Sequence, residues 1–327
     1  MAEEPLDPGG MGAGPVAVLG CGTMGVGIAQ AFAAAGFPTR VWARSEASVE
    51  RAEAALGRNL TFVHQAGLLD DPEAARSRVS FATDLAVALG EAGLVVEAVA
   101  EDLGVKRELF ARLDSLCPPE VPLGTNTSGL SVTAIARDTG RPERVVATHF
   151  WNPAHLMPLV EVGLGRATAE PIVERVVALL RAIGKVPVVV RKEVPGFLGT
   201  RLQQAVVREA IHLLEQGVAS AEDIDTVVKT SFGIRFPAIG PLETSDLGGL
   251  DVVRAIHQYL LPDLCSSTTP SPLLTRLVGE GRLGVKAGAG FYEWTPERAA
   301  EVGRARDEEL VRRLKLMREQ GGAERWR

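Results

Sequence analysis

The chain has 327 residues, 46% hydrophobic and 23% charged, which is the balance of an ordinary globular protein with room for two domains. Its net charge of −6 excludes a strongly basic surface for nucleic acid or an anionic membrane, and no apolar run reaches the roughly 18 residues that a membrane span needs. Its three scattered cysteines predict neither a disulfide framework nor a metal site. We expect a cytoplasmic protein without metal, nucleic-acid or membrane partners.

The N-terminal part predicts a dinucleotide site. Residues 1–14 are acidic, rich in glycine and proline and without a signal pattern, so we expect a flexible lead-in. A strand pattern from Pro15 to Leu19 and a helical pattern from Val26 flank a G-x-G-x-x-G sequence. Its glycines permit a tight turn, close approach to a pyrophosphate and close helix packing. The residues predicted to bind the cofactor here are Gly20, Gly22, Thr23, Met24 and Gly25.

The end of the second predicted strand, Thr39 to Trp42, bears on the choice of cofactor. An NAD site normally has Asp or Glu here to bind the ribose 2′-hydroxyl, but the chain has Ala43, Arg44 and Ser45. An arginine and a hydroxyl suit a 2′-phosphate, so we predict that Arg44 and Ser45 bind the cofactor and favour NADP over NAD. Alternatively, Arg44 stacks on the adenine or faces water, and Ser45 caps the next helix.

Polar residues follow two further predicted strands. The apolar run from Leu94 to Val99 predicts a buried parallel strand, and a second strand is predicted from Val121 to Thr125. Ligands of such sheets bind outside the carboxyl ends of the strands. We therefore predict that Glu101, Lys106 and Asn126 contribute to the cofactor site.

A histidine and a carboxylate stand at the next strand end. His149 follows the apolar run that begins at Val145, and Glu161 lies twelve residues later on the extended segment Leu159 to Val162. This spacing permits a base held by an acid, although a lone histidine is more often packed or solvated. The polar cluster Asn126 to Gly129 is either a turn or a source of donors for a substrate oxygen.

The pattern changes near Val194, after a last apolar strand at Val186 to Val190. Beyond it, only helical patterns follow. They span residues 197–215, 221–230, 250–261, 272–279 and 296–319. The predicted fold is therefore an α/β Rossmann-type dinucleotide-binding domain, residues 15–194 with the His–Glu pair, followed by an all-α C-terminal domain, residues 195–327.

Seven segments, in order, resemble the 3-hydroxyacyl-CoA dehydrogenase family from about Pro15 to Trp294. The resemblance implies an NAD(P)-dependent enzyme that transfers a hydride reversibly between a secondary alcohol and the nicotinamide. It also implies a Rossmann-type domain joined to a helical domain that usually forms a homodimer. The segments are Gly20 to Ala29, Val96 to Leu103, Asn126 to Ser128, His149 to Pro153, Leu159 to Val162, Pro195 to Phe197, and Gly288 to Tyr292.

The resemblance also assigns roles to individual residues. His149 is then the general base in oxidation and the general acid in reduction, and Glu161 holds its imidazole. Ser128 binds the reacting oxygen, and Asn152 supports the same site. Thr200 stands where the family has asparagine, so we expect altered substrate contacts there.

Residues 233–244 resemble the lambda-crystallin and L-gulonate 3-dehydrogenase branch, whose relatives use free hydroxy acids or small alcohols. Arg235 in this segment is expected to bind a substrate carboxylate, or else to form a surface or inter-subunit ion pair. The helix after the second strand carries Arg51 and Arg58 where the family is lysine-rich, which makes a CoA harder to bind.

Three hypotheses remain open from the sequence. A dehydrogenase of a small free hydroxy acid or alcohol is preferred. A 3-hydroxyacyl-CoA dehydrogenase, such as one for 3-hydroxybutyryl-CoA, is the alternative. A non-catalytic, crystallin-like protein is the third. In each case we expect a small-molecule ligand and a homodimer that forms through the helical domain.

Overall fold

A computed structural model describes residues 14–321, which form two compact units. The first unit comprises residues 14–200 and 306–321, and the second comprises residues 201–305. Except for Gly14, the predicted flexible N-terminus lies outside the described residues. The first unit is an α/β fold and the second is helical, so the predicted fold class is confirmed. The sequence-based boundary near Val194 did not anticipate that residues after Ala305 belong to the first unit.

An eight-stranded sheet organises the first unit, in the order β3-β2-β1-β4-β5-β6-β7-β8. All neighbours are parallel except β6 and β7, which are antiparallel. The strand order reverses at β1, which has β2 on one side and β4 on the other, and ligands of such sheets bind at the carboxyl ends of the strands at this point. The strands are β1 (Val16–Leu19), β2 (Thr39–Trp42), β3 (Val79–Ala82), β4 (Leu94–Glu97), β5 (Leu123–Thr125), β6 (Val145–Phe150), β7 (Leu159–Leu164) and β8 (Val186–Val190).

The helices of the first unit begin at recognisable caps. The side chains of Asp71, Asp84 and Asp102 accept hydrogen bonds from backbone N–H groups in the first turns of their helices. Ser45 precedes its helix, but its hydroxyl pairs with the Ser48 hydroxyl and not with a backbone N–H. The helices are α1 (Thr23–Ala34), α2 (Glu46–Gln65), α3 (Pro72–Ser77), α4 (Leu85–Leu89), α5 (Leu103–Leu116), α6 (Val132–Ile135) and α7 (Glu170–Ala182).

The sheet is buried on both faces, as expected for parallel strands covered by helices. Val16 and Val18 of β1 belong to one core cluster, and the alternate residues Ala17 and Leu19 belong to another. A smaller third cluster joins α2, the loop between β6 and β7, and the last helix, through Val63, Leu156 and Val311. This packing fixes the loop that follows β6.

The helices of the second unit differ from those of the first because none of the residues of α8 to α13 is fully buried. Large apolar side chains such as Leu202, Val206 and Leu250 are exposed instead. No helix in residues 14–321 is long and apolar enough to cross a membrane. The remaining helices are α8 (Gly199–Glu215), α9 (Ala221–Thr230), α10 (Phe232–Arg235), α11 (Pro241–Gly248), α12 (Leu250–Leu260), α13 (Pro272–Gly279) and α14 (Pro296–Glu319).

Candidate active site

His149 and Glu161 are brought together by the one antiparallel pairing in the sheet. They are directly opposite each other in the register of β6 and β7, so both side chains leave the sheet on the same face. The Nδ1 atom of His149 lies 2.9 Å from Oε2 of Glu161. The two residues are only 5% and 1% exposed. The predicted pair therefore exists as a buried contact, shielded from water and salt.

Glu161 is held by four donors. Oε2 accepts from His149 and from the indole N–H of Trp151 at 3.2 Å. Oε1 accepts from the backbone N–H groups of Leu198 and Gly199 at 2.8 and 2.9 Å. Burial acts to raise the pKa of the Glu161 carboxyl, but these hydrogen bonds outweigh it and hold the pKa below its ordinary value. An ionised Glu161 only accepts, so the proton sits on Nδ1 of His149 and Nε2 carries the lone pair.

Two aromatic rings enclose the imidazole. The Phe197 ring stacks on His149 with centroids 5.6 Å apart, and the Trp151 ring lies tilted against it at 5.5 Å. Phe197 takes a φ of 47°, directly after Gly196 at 76°. A Cβ on Gly163 would lie 2.5 Å from the Phe197 ring, so only glycine leaves room for it. The sequence motif Pro195-Gly196-Phe197 marked this segment, but it did not show that Phe197 covers the histidine.

The polar residues after β4 and β5 form one network at the carboxyl edge. The Glu101 carboxylate accepts from the Thr127 hydroxyl and, at 2.9 Å, from the backbone N–H of Ser128. Asn126 accepts through Oδ1 from the backbone N–H of Phe150 at 2.8 Å, which ties this loop to the end of β6. Asn152 lies exposed in the loop after β6. Ser128 is exposed as well, so its hydroxyl is accessible to a substrate oxygen.

Lys106 is placed beneath this network. Its side chain is 1% exposed, and its Nζ lies 2.6 Å from Oε1 of Glu97 and 3.4 Å from Oε2 of Glu101. Glu97 also accepts from the Thr125 hydroxyl at 2.7 Å. Lys106 thus helps to position Glu101, and its side chain is too buried to contact a cofactor directly. The sequence showed one acid in an apolar strand but not this buried ion pair.

Glu193 is a further residue of the site that sequence reasoning missed. Its carboxylate accepts from the Ser131 hydroxyl at 2.9 Å and from the Thr133 hydroxyl at 2.8 Å. Burial acts to raise its pKa, but these hydrogen bonds and those from the first backbone N–H groups of α6 lower the pKa overall. Glu193 therefore fastens the start of α6, directly after the Asn126 to Ser128 loop. Its position next to a Val-Pro-Gly break was the only sequence signal.

The glycine loop has the geometry that a dinucleotide needs. Gly20 takes a φ of 116°, and a Cβ on it would lie 2.5 Å from the Ala98 carbonyl oxygen. A Cβ on Gly25 would lie 1.8 Å from the Gly20 carbonyl oxygen. Above Gly22 there is nothing within 4 Å, so the backbone is open to a pyrophosphate. The loop leads into α1 at Thr23 and thereby offers the free N–H groups of that helix.

The other residues predicted to bind ligands lie in three places, two in the first unit and one in the second. Ala43 is buried, and Arg44 and Ser45 are exposed directly after β2, where no carboxylate stands. Thr200 is the last residue of this stretch of the first unit. It directly follows Gly199, whose backbone N–H donates to Glu161. Arg235 is exposed at the end of α10 in the second unit. Within residues 14–321, no group of three or more His, Cys, Asp or Glu residues is arranged to hold a metal ion.

Oxidation of an alcohol removes a proton from its oxygen and a hydride from its carbon. The first step needs a base, and the second needs a nicotinamide, which the glycine loop can bind beside the His–Glu pair. The fold and the site are those of a nicotinamide-dependent dehydrogenase.

Comparisons with known proteins identify the family. Residues 15–194 match the NAD binding domain of 3-hydroxyacyl-CoA dehydrogenase, and residues 196–294 match its C-terminal domain. The chain belongs to the 3-hydroxyacyl-CoA dehydrogenase family and is an NAD-dependent oxidoreductase. The predicted family and activity class are confirmed.

Two relatives and one solved structure illustrate the similarity. The chain is 35% identical over 301 residues to the 5-formyl-3-hydroxy-2-methylpyridine 4-carboxylate 5-dehydrogenase of Mesorhizobium japonicum, covering 91% of this chain and 97% of the relative. It is 39% identical over 282 residues to a 3-hydroxybutyryl-CoA dehydrogenase of Clostridioides difficile, covering 85% and 99%. A crystal structure of the pyridine carboxylate enzyme, described as an NAD+-dependent dismutase, superposes with a TM-score of 0.86 at 33% identity, over 91% of this chain and 96% of the other.

Proposed function

We propose that the protein oxidises the secondary alcohol of a small, free 3-hydroxy acid or related alcohol, reversibly, with His149 as the acid–base. The observation that carries this proposal is the buried contact between His149 Nδ1 and Glu161 Oε2 at 2.9 Å. It leaves the Nε2 lone pair to take the proton from the substrate hydroxyl. The imidazolium that forms is balanced by the ionised Glu161 beside it.

The remaining site residues support that proton transfer. A bound nicotinamide would supply hydride transfer to or from the carbinol carbon, and the glycine loop would hold its pyrophosphate. Glu101 and Asn126 fix the loop that carries Ser128. The Ser128 hydroxyl and the Asn152 amide donate hydrogen bonds to the reacting oxygen, which gains negative charge as its proton leaves. Phe197 and Trp151 exclude water from the imidazole.

The free acid is preferred over a CoA thioester for two reasons. Of the two relatives, the dehydrogenase from Mesorhizobium japonicum matches more of this chain, and its name gives a pyridine carboxylate as its substrate. The solved structure of that kind of enzyme superposes over 91% of this chain. In addition, α2 carries two arginines, Arg51 and Arg58, and no lysine. The thioester remains the second candidate because a 3-hydroxybutyryl-CoA dehydrogenase is 39% identical to the chain.

A substrate panel tests this choice. We expect turnover of at least one free acid among 3-hydroxybutyrate, L-gulonate and carnitine, and weaker turnover of 3-hydroxybutyryl-CoA. If Arg235 binds the carboxylate, Arg235→Gln should raise KM for that acid by roughly tenfold or more, because a charged hydrogen bond is lost. Arg254→Gln removes another exposed arginine of the second unit and should leave KM unchanged. Turnover of the thioester alone contradicts the proposal.

The cofactor choice has its own test. Binding of NAD is a property of the family, and we propose that Arg44 and Ser45 admit NADP in addition, because no carboxylate at the end of β2 repels a 2′-phosphate. Arg44→Asp should then raise KM for NADPH by roughly tenfold or more, and KM for NADH far less. Arg58→Gln serves as the control for loss of a positive charge. Equal effects of Arg44→Asp on both cofactors contradict the role of Arg44.

We also propose that the protein is a cytoplasmic homodimer formed through its second unit. Along α8, Leu202 and Val206 are spaced four residues apart and are 62% and 43% exposed. Such a stripe on one helix face is typical of a surface that a partner covers. The three cysteines are free thiols, as a reducing compartment requires. Light scattering on the eluted protein should give twice the mass of one chain.

A further inference from the structure

The cover segment, residues 194–199, lies over the imidazole of His149 and is held at each end by a carboxylate. At its C-terminal end, two successive backbone N–H groups donate to Oε1 of Glu161 at 2.8 and 2.9 Å. Glu193 directly precedes its N-terminal end and is bound to the start of α6. Between the two, the Phe197 ring stacks on the imidazole with centroids 5.6 Å apart. The position of this ring therefore depends on both carboxylates.

The cover segment has a backbone conformation that it would not keep by itself. Gly196 takes a φ of 76° and Phe197 a φ of 47°, and the Phe197 N–H donates to the Val194 carbonyl oxygen at 3.3 Å, which closes a tight turn. Within residues 14–321, Phe197 is the one residue other than glycine with a positive φ. A bulky side chain is disfavoured in this region, and such strain persists only where the surroundings impose it. The bonds at the two ends of the segment supply that constraint.

Glu193 connects the cover segment to two other parts of the first unit. Its Oε1 accepts from the Ser131 hydroxyl and from the Thr133 N–H, both at 2.9 Å, and its Oε2 accepts from the Thr133 hydroxyl at 2.8 Å. The Ser131 hydroxyl in turn accepts from the Ala134 N–H at 3.0 Å and caps α6. The Thr133 hydroxyl accepts from the Arg166 N–H at 2.8 Å, two residues beyond the end of β7. One carboxylate thus joins the cover segment to α6 and to the strand that carries Glu161.

The loop that carries Ser128 contacts the cover segment directly. A Cβ on Gly129 would lie 3.2 Å from the backbone nitrogen of Gly196, so the two backbones approach closely at that point. Two residues further on, Ser131 is bound to Glu193 at 2.9 Å. The loop with the donor for the substrate oxygen and the segment with the ring over the imidazole are therefore fastened to the same side chain.

We propose that Glu193 is a positioning residue for the reaction, which fixes the Ser128 hydroxyl and the Phe197 ring relative to the imidazole of His149. This inference rests on the roles of His149 and Ser128 in the proposed function. Both oxygens of Glu193 are occupied by α6, so it acts through the cover segment and the Ser128 loop. A misplacement of reacting groups by about 1 Å costs on the order of 10²-fold in rate.

The accessibility of His149 tests the cover segment without any substrate. Diethyl pyrocarbonate acylates an accessible imidazole, and mass spectrometry of peptides from the full-length protein gives the rate for each histidine. Glu193→Ala should raise the rate at His149 severalfold, because the cover segment is released. Glu193→Gln should keep the rate near the wild-type value, since its oxygen still accepts from Ser131 and its NH₂ group donates to the Thr133 hydroxyl.

Turnover tests whether this positioning matters for the reaction. For oxidation of 3-hydroxybutyrate, or of L-gulonate or carnitine if the substrate panel favours it, Glu193→Ala should lower kcat by roughly 10- to 100-fold and leave KM for NAD unchanged. Glu193→Gln should recover most of the loss. In a Phe197→Ala background, Glu193→Ala should lower kcat much less, because residues that act together are not additive. Asp71→Ala removes another helix cap, at α3, and should change neither kcat nor the reactivity of His149.

The outcomes separate this inference from the proposed function. Unchanged reactivity of His149 in Glu193→Ala overturns the role of Glu193, and so does raised reactivity with wild-type kcat. If Glu193→Ala does not fold, Thr133→Val removes one hydroxyl and should shift both readouts in the same direction by less, and no shift overturns the proposal. If wild type oxidises none of the three acids, the proposed function fails, and the reactivity of His149 alone decides the role of Glu193.

Discussion

Replacing His149 with glutamine should lower kcat by roughly 10²- to 10⁴-fold, the range that a positioned acid–base contributes. Glutamine cannot take the hydroxyl proton, although it can still donate to Glu161 across the distance of 2.9 Å that the imidazole now spans. Affinity for NADH should change little, because the glycine loop is separate from β6. Steady-state turnover and fluorescence titration of NADH measure the two effects.

A matched variant shows whether a fall in kcat is specific to His149 or would follow from any histidine-to-glutamine change. His64→Gln changes an exposed histidine of α2 and should leave kcat near the wild-type value. If His149→Gln retains wild-type turnover, His149 is not the acid–base and the proposed mechanism is wrong. If it loses NADH binding as well, the fall in kcat reflects damage to the fold.

Replacing Glu161 with glutamine should be costly for both activity and stability. The carboxylate accepts hydrogen bonds from His149, Trp151, Leu198 and Gly199, whereas a glutamine accepts through one oxygen and turns an NH₂ group toward other donors. Each buried donor that is left without an acceptor costs about 1–3 kcal/mol. Turnover should fall by on the order of 10²-fold or more, because the Nδ1 proton and the ring orientation are no longer fixed.

The pH dependence of stability gives a second readout for Glu161. Its pKa in the folded protein is lowered from 4.5, so its ionised form stabilises the fold above the unfolded pKa. That contribution is lost as the pH falls below about 4.5 through the lower folded value. The difference in free energy of unfolding between wild type and Glu161→Gln should therefore be largest at neutral pH and decrease in acid. Denaturant unfolding at several pH values measures it.

A control carboxylate sharpens the comparison. Glu170 forms an ion pair with Arg191 in which the two side chains are 49% and 67% exposed. Glu170→Gln should change stability by less than about 1 kcal/mol, as is usual for surface pairs. Equal stability of Glu161→Gln and wild type at neutral pH would show that the buried carboxylate is not stabilising.

Much of the fold follows from local sequence patterns. The run Val16 to Leu19 with its glycine loop, and the helical stretch Pro272 to Gly279, lie where the patterns predicted them because short-range periodicity and turn residues determine them. The helices α3 and α10 were missed, since six and four residues carry too little periodicity, and α11 was missed because its leucines, Leu242 and Leu247, do not recur at helical spacing.

The sequence predicted several of the residues that form the site, but not how they are arranged in space. A histidine and a glutamate twelve residues apart suggested a pair, yet nothing in the sequence showed that β6 and β7 run antiparallel. Lys106 was predicted to bind the cofactor, and the structure buries it between two glutamates, which depends on a contact from strand to helix. Phe197 and Glu193 reach the site from a distant part of the chain, so a local pattern could not show them.

The antiparallel pairing of β6 with β7 has a consequence for how the site assembles. His149 and Glu161, which face each other in this pairing, are only twelve residues apart in the sequence, so little chain entropy is lost when they meet. Contacts this local form early in folding and survive partial unfolding as long as the two strands stay paired. The His149–Glu161 contact therefore depends on the strand pair from Val145 to Leu164 and not on the helices of residues 201–305.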